Sequence, residues 1–153
     1  MHTPASIHGH PIHAMLVPLA IGGFVISFVA DIICLATGNL QPWSTIAYYT
    51  MLGAILAALA AALPGFIDML SLPGGTPIKR TALTHMGINL TVVALFAWNA
   101  WQRHLNPENL GTPMLMSGIG ILMLLVSGWL GGKMVYEAGV GVERTDGVPR
   151  DHR

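Results

Sequence analysis

The chain contains seven histidines, and three of them, His10, His13 and His85, stand where long apolar stretches begin. Imidazole changes charge near neutral pH and is a common metal ligand. Pro11 suits the first position of a helix, so His13 falls within about a turn of a helix start, and His85 lies five residues past Arg80 at a similar shallow depth. Asn89 follows His85 by one helical turn on the same stripe, where its amide can orient the ring by a hydrogen bond. Two histidines from separate helices are what a low-spin b-type haem requires as axial ligands. In that chemistry His13 or His10 pairs with His85, while Lys79, Arg80 and Lys133 meet the propionates and Gly22 and Gly87 leave room for the ring. The alternative is a bare transition-metal ion. His10, His13, His85 and Asp68 offer imidazole and carboxylate ligands suited to zinc, copper or iron, with Asn89 and Tyr136 in support.

The elements that must bring these residues together follow from composition. In 153 residues, 53% are hydrophobic and 9% charged, against about 25% charged in ordinary soluble domains. Before Lys79 the only Asp, Glu, Lys or Arg residues are Asp31 and Asp68. Four apolar segments result, roughly 12–37, 44–70, 79–103 and 112–136, each at or above the ~20 residues that a membrane-crossing helix needs. Backbone groups in lipid must be satisfied within the segment, so these segments are helices; strand-like alternation is absent, and Ala57-Ala58-Leu59-Ala60-Ala61-Ala62 is helical by propensity. The connections Gly38–Pro42, Ser71–Pro77 and Asn106–Gly111 read as tight turns. Neighbouring helices are then antiparallel, and the fold is an all-α, four-transmembrane-helix, up-down bundle in one domain, followed by a polar tail over 143–153.

In such a bundle the starts of helices 1 and 3 and the ends of helices 2 and 4 share one face. His10, His13, Asp68, His85, Lys133 and Tyr136 converge there. Ionisable groups at membrane depth are costly and usually face the bundle interior, which makes them functional candidates. A plain structural role stands beside each. His10 can cap helix 1, Asp68 can cap its own helix or pair with Lys79 or Arg80, and buried polar groups also join helices to one another. His2, His8, His104 and His152 read as solvent or interface residues. Asp31 lies five turns from His13 on the same face, and Arg103 is one candidate partner at that end.

Orientation follows from basic residues. The face holding both termini and the second turn carries Lys79, Arg80, Lys133, Arg144, Arg150 and Arg153, against Arg103 alone on the other; this places both termini in the cytoplasm of a bacterial inner-membrane protein. The first apolar stretch lacks a basic leader and is long enough to span, so it reads as a retained helix. Trp43, Tyr48, Tyr49, Trp98 and Trp101 mark one interface, and Trp129 and Tyr136 the other. Cys34 has no internal disulfide partner. Gly53, Ala57, Ala61 and Gly65 form a small-residue stripe on helix 2, as Gly128 and Gly132 do on helix 4; they serve packing inside the bundle or self-association into a homo-oligomer. Pro64-Gly65 predicts a bend in helix 2 that steers Asp68.

Three blocks in order carry a family resemblance: His10-Pro11-Ile12-His13-Ala14-Met15-Leu16-Val17-Pro18-Leu19-Ala20; Gly65-Phe66-Ile67-Asp68 through Lys79-Arg80-Thr81-Ala82-Leu83-Thr84-His85-Met86-Gly87-Ile88-Asn89; and Ser127-Gly128-Trp129-Leu130-Gly131-Gly132-Lys133-Met134-Val135-Tyr136 with Gly139-Val140-Gly141-Val142. Together they resemble domain-of-unknown-function family 2231, predicted bacterial membrane proteins. The resemblance implies a four-helix membrane domain. It also implies a link to electron transfer, because members are sometimes joined to a Rieske-type iron-sulfur domain. This chain has one cysteine and no Cys-x-His pair, so it cannot hold that cluster itself. Where the family often has His-Phe-Pro after Leu-Val, this chain passes directly from Val17 to Pro18.

The readings divide into a haem-linked electron-transfer protein with a redox partner, a transition-metal binding or transport protein, and a non-catalytic accessory subunit whose Gly139–Val142 segment docks a partner. A hydrolase is disfavoured: there is no Ser-His-Asp signature, phosphate-binding glycine loop or His-Glu-x-x-His helix. No basic groove points to nucleic acid. The lipid bilayer is the one partner that composition demands.

Overall fold

A computed structural model describes residues 3–142; His2, His152, Arg144, Arg150, Arg153 and the tail over 143–153 lie outside them. The chain enters through a hairpin, β1 (Ser6–Ile7) and β2 (His10–Pro11), paired antiparallel with Ile7 opposite His10. His8 and Gly9 form its two-residue loop with φ of 49° and 81°, the positive values that a tight hairpin turn of this length requires. This ladder is too short to leave an alternating pattern in the sequence. Four helices follow: α1 (Ile12–Thr37), α2 (Leu40–Ser71), α3 (Pro77–Leu105) and α4 (Gly111–Tyr136).

Each helix is long and apolar enough to cross a membrane. Their outer faces carry the large apolar side chains, among them Leu19, Leu35, Leu56, Leu63, Leu122 and Leu125, and Trp129 is 77% exposed. A water-soluble fold would hide such a surface; a bilayer covers it. The protein is an all-α membrane protein, and its helix ends lie within four residues of the four expected segments. Gly38, at φ 68°, returns its amide to Cys34 to close α1. Thr76 caps α3 by accepting from the Lys79 amide, and Pro77 follows it. α2 continues through Pro64, and its one non-helical residue is Gln41, so no break accompanies the Pro64-Gly65 pair.

Consecutive helices pack on one another, and α4 closes the ring against α1. α1 and α3 therefore stand diagonally, and three of their side-chain pairs meet on the bundle axis. At one end, hereafter proximal, are His13 and His85, with ring centres 6.4 Å apart. In the middle Phe24 stacks on Phe96 at 4.1 Å. At the distal end Arg103 is bonded to Asp31. Ala20, Met51, Ala54, Val92 and Ala100 pack around the phenylalanines.

Close helix approach follows only the Ala61–Gly65 end of the stripe expected on α2. An added Cβ at Gly23 would lie 2.8 Å from Ala54, and one at Gly120 2.5 Å from Phe96, whereas Gly53 and Gly128 have nothing within 4 Å. The reason is geometric. A four-residue step drifts by about 40° on a helix, so Gly53 has rotated by about 120° from Gly65 and faces outward.

Candidate functional site

The proximal layer is assembled from one histidine on each of the diagonal helices and one backbone carbonyl on each of the other two. His13 Nδ1 lies 2.8 Å from the Ala61 carbonyl oxygen. A carbonyl only accepts, so Nδ1 carries a proton, and in the neutral imidazole Nε2 keeps its lone pair. The ring reaches Ala61 because Gly65, one turn on, has no side chain: a Cβ there would stand 2.6 Å from His13 Nδ1. His85 repeats the arrangement on the other hairpin. Its Nδ1 donates to the Ser127 carbonyl at 2.9 Å, and Gly131 lies against its Cε1, where a Cβ would be 3.4 Å away.

His85 has more partners than His13. The Asn89 amide nitrogen donates to His85 Nε2 at 3.0 Å, and the Ser127 hydroxyl donates to Asn89 Oδ1 at 2.9 Å, closing a ring of bonds through α3 and α4. The Ser127 hydroxyl also stands 2.9 Å from His85 Nδ1. Both nitrogens of His85 are thereby engaged, while among the described residues His13 Nε2 has no hydrogen-bond partner. The two ring planes are nearly perpendicular, at 87°. Ala61 and Ser127 were not singled out from sequence for this role; one contributes only its backbone, which no residue-type signal marks.

Other expected members of the site stand elsewhere. Asp68 accepts the Ala5 amide at 2.9 Å and so holds the entry hairpin, pairing with neither Lys79 nor Arg80. It is on the same face of α2 as Ala61 but about 10 Å further toward the proximal end, level with the hairpin rather than the imidazoles. His10 is exposed in β2. Tyr136 is 90% exposed and stays outside the site. Nine residues separate it from Ser127, which turns it about 180° to the opposite face of α4. Lys79 donates its ammonium to the Met69 carbonyl, Arg80 is exposed, and Lys133 is exposed beside Glu137 at 3.8 Å. Among the described residues no three His, Cys, Asp or Glu side chains come together as a metal-binding group.

The Gly139–Val142 segment, expected as a docking element, folds back on its own chain. Gly139, at φ 67°, turns it so that the amides of Gly139 and Val140 return to the Val135 and Met134 carbonyls. Gly141 then lies over Pro11, where a Cβ would be 2.9 Å from the ring. Val140 packs against the cluster of Met69, Leu72 and Ala82, and through Gly141 on Pro11 the exit of α4 covers the end of the entry hairpin.

At the distal end Arg103 spends all three nitrogens. Two meet the Asp31 oxygens at 2.8 and 2.6 Å, and Nε donates to Asn99 at 2.8 Å. Ser117 donates to Asp31, and Asn99 donates to Ser117 and to the Pro113 carbonyl. A cleft of about 240 Å³ opens beside this network, lined in part by Gln41, Tyr48, Arg103 and His104, and each Arg103 nitrogen beside it is already bonded within the network. The distal network is a structural lock; the proximal layer holds the open nitrogen.

The model of the family described as predicted membrane protein (DUF2231) matches residues 9–144, and the chain belongs to that family. No curated protein and no solved structure matches it.

Proposed function

We propose that this member of the family is a bis-histidine electron-transfer protein that carries a b-type haem between His13 and His85. The observation that supports the reading is the facing pair itself: two imidazoles with centres 6.4 Å apart, each donating Nδ1 to a backbone carbonyl of the neighbouring helix. Histidines that ligate metals almost always donate their other nitrogen in this manner, because the bond fixes the tautomer and the ring direction. A metal held at about 2 Å by each of two imidazoles separates their centres by roughly the observed amount. Two protein ligands suffice for haem iron, whose other four come from the macrocycle. They are too few for a bare ion, since Asp68 holds the entry hairpin and His10 is exposed in β2, and the transition-metal alternative is weaker for that reason.

In this reading Ala61 and Ser127 hold the rings, and Asn89 releases His85 Nε2 when the site is loaded. Lys79, Arg80 and Lys133 stand at the same end of the bundle as candidates for the propionates. Bound there, the haem supplies a one-electron iron couple. Lys79, Arg80 and Lys133 at the proximal end, against Arg103 at the distal end, favour the proximal face as the cytoplasmic one of a bacterial inner membrane, where a soluble redox partner would reach it. The test is the absorption spectrum and iron content of protein purified in mild detergent. A Soret band that disappears in His13→Ala and in His85→Ala is expected. Full-length folded protein with neither a Soret band nor iron, before or after addition of haemin, would overturn the reading.

A further inference from the structure

The three pairs on the axis are separated by one interval. Asp31 and Arg103 are 72 residues apart, and the same spacing separates His13 from His85 and Phe24 from Phe96. The bonds that tie each hairpin together repeat as well. His13 on the Ala61 carbonyl is matched by His85 on the Ser127 carbonyl, and Ser27 on the Ala47 carbonyl by Asn99 on the Pro113 carbonyl. Their sequence separations are 48 and 42 in the proximal layer and 20 and 14 in the distal one. The second hairpin is therefore shorter by the same six residues in both layers, and all six are lost at its distal turn. Gly65 and Gly131, each four residues past the accepting carbonyl, lie against the two imidazoles.

α1 and α3 run parallel, and their equivalent residues touch one another, so the operation relating the hairpins is a two-fold rotation about the bundle axis. Parallel internal repeats about an axis normal to the membrane are a known way to build membrane proteins. The halves differ at the imidazoles. The position matching Asn89 is Val17, one turn past His13, and the position matching Ser127 is Ala61. Neither can hold His13 Nε2.

We infer that α1–α2 and α3–α4 are two copies of one helical hairpin, made unequal at the histidine layer so that Asn89 and Ser127 latch His85 while His13 Nε2 stays open as the nitrogen that first takes an electron-pair acceptor. Asn89 and Ser127 are positioning residues, acting through His85. That the acceptor is haem iron rests on the function proposed above; the equivalence of the two halves does not.

Exchange of equivalent side chains tests it in the full-length, ¹⁵N-labelled protein, with long-range imidazole proton–nitrogen correlations assigned by His13→Gln and His85→Gln. In the wild type the unprotonated nitrogen of His85 carries the signature of an accepted hydrogen bond and that of His13 does not. Val17→Asn with Ala61→Ser transplants the latch and is expected to move the His13 nitrogen to the His85 position. Asn89→Val with Ser127→Ala is expected to do the reverse to His85. In haemin titrations the first double variant should bind several-fold more weakly than the wild type and the second several-fold more tightly. A folded Val17→Asn, Ala61→Ser protein with an unmoved His13 signal overturns the inference. Loss of the folded species in both exchanges overturns it too, because equivalent positions must accept each other's side chains. Absence of haemin binding in all three proteins removes the haem reading and leaves the nitrogen shifts to decide the equivalence.

Discussion

Asp31 grips Arg103 through both carboxylate oxygens, at 2.8 and 2.6 Å, with 2% and 5% of the two side chains exposed. Removal of one member strands the other in a medium that cannot solvate it. Arg103→Met alone is expected to cost about 3–5 kcal/mol, and Asp31→Leu added to it should recover most of the loss. Thermal unfolding in detergent reads both, and a double variant no more stable than the single one contradicts the assignment.

The two glycines behind the imidazoles should respond differently. Gly65→Ala drives a methyl group to 2.6 Å from His13 Nδ1 and must displace the ring from Ala61, with an expected loss of about 1–3 kcal/mol. Gly131→Ala meets His85 at 3.4 Å and should be tolerated, as should Gly53→Ala, which meets nothing. Equal losses at Gly65 and Gly53 would refute the packing described for α2.

Asp68 should act on the hairpin rather than on the histidines. Asp68→Ala removes the acceptor for the Ala5 amide and is expected to speed hydrogen exchange over residues 5–12 while leaving the helix cores unchanged. Asp68→Asn keeps an oxygen in place, so protection should largely survive. Faster exchange around His85 in Asp68→Ala would instead tie this carboxylate to the imidazole layer.

The orientation can be read by labelling. Cys34 is 2% exposed and should react slowly with a membrane-permeant maleimide until the protein is unfolded. In a Cys34→Ala background, Gly74→Cys and Glu108→Cys stand at the proximal and distal turns. An impermeant maleimide applied to spheroplasts is expected to label the second and not the first; the opposite pattern reverses the assigned topology.

Much of the architecture was legible because lipid permits so few solutions. Uncharged windows of about 20 residues delimit the spans, and tight turns force the up-down order that brings His13 toward His85 and Asp31 toward Arg103. The Asn89–His85 bond was legible because it obeys the helical one-turn spacing. What escaped was whatever rests on backbone or on rotation over longer intervals. The Ala61 and Ser127 carbonyls carry no signal in residue type. The four-residue stripe drifts outward at Gly53, and Tyr136 turns away from the site over nine residues. The repeat was hidden because its copies seldom match in residue identity: Asp31 answers to Arg103, Ser27 to Asn99 and Ala47 to Pro113, so only the intervals and the contacts betray it.

The stacked Phe24 and Phe96 are each 1% exposed or less, with Gly120 pressed against the second ring. They form an apolar layer roughly 16 Å of helix beyond the imidazoles, between them and the Asp31–Arg103 network. The histidine layer is thus a dead end when approached along the axis. A proton reaches or leaves the imidazoles only from the proximal end.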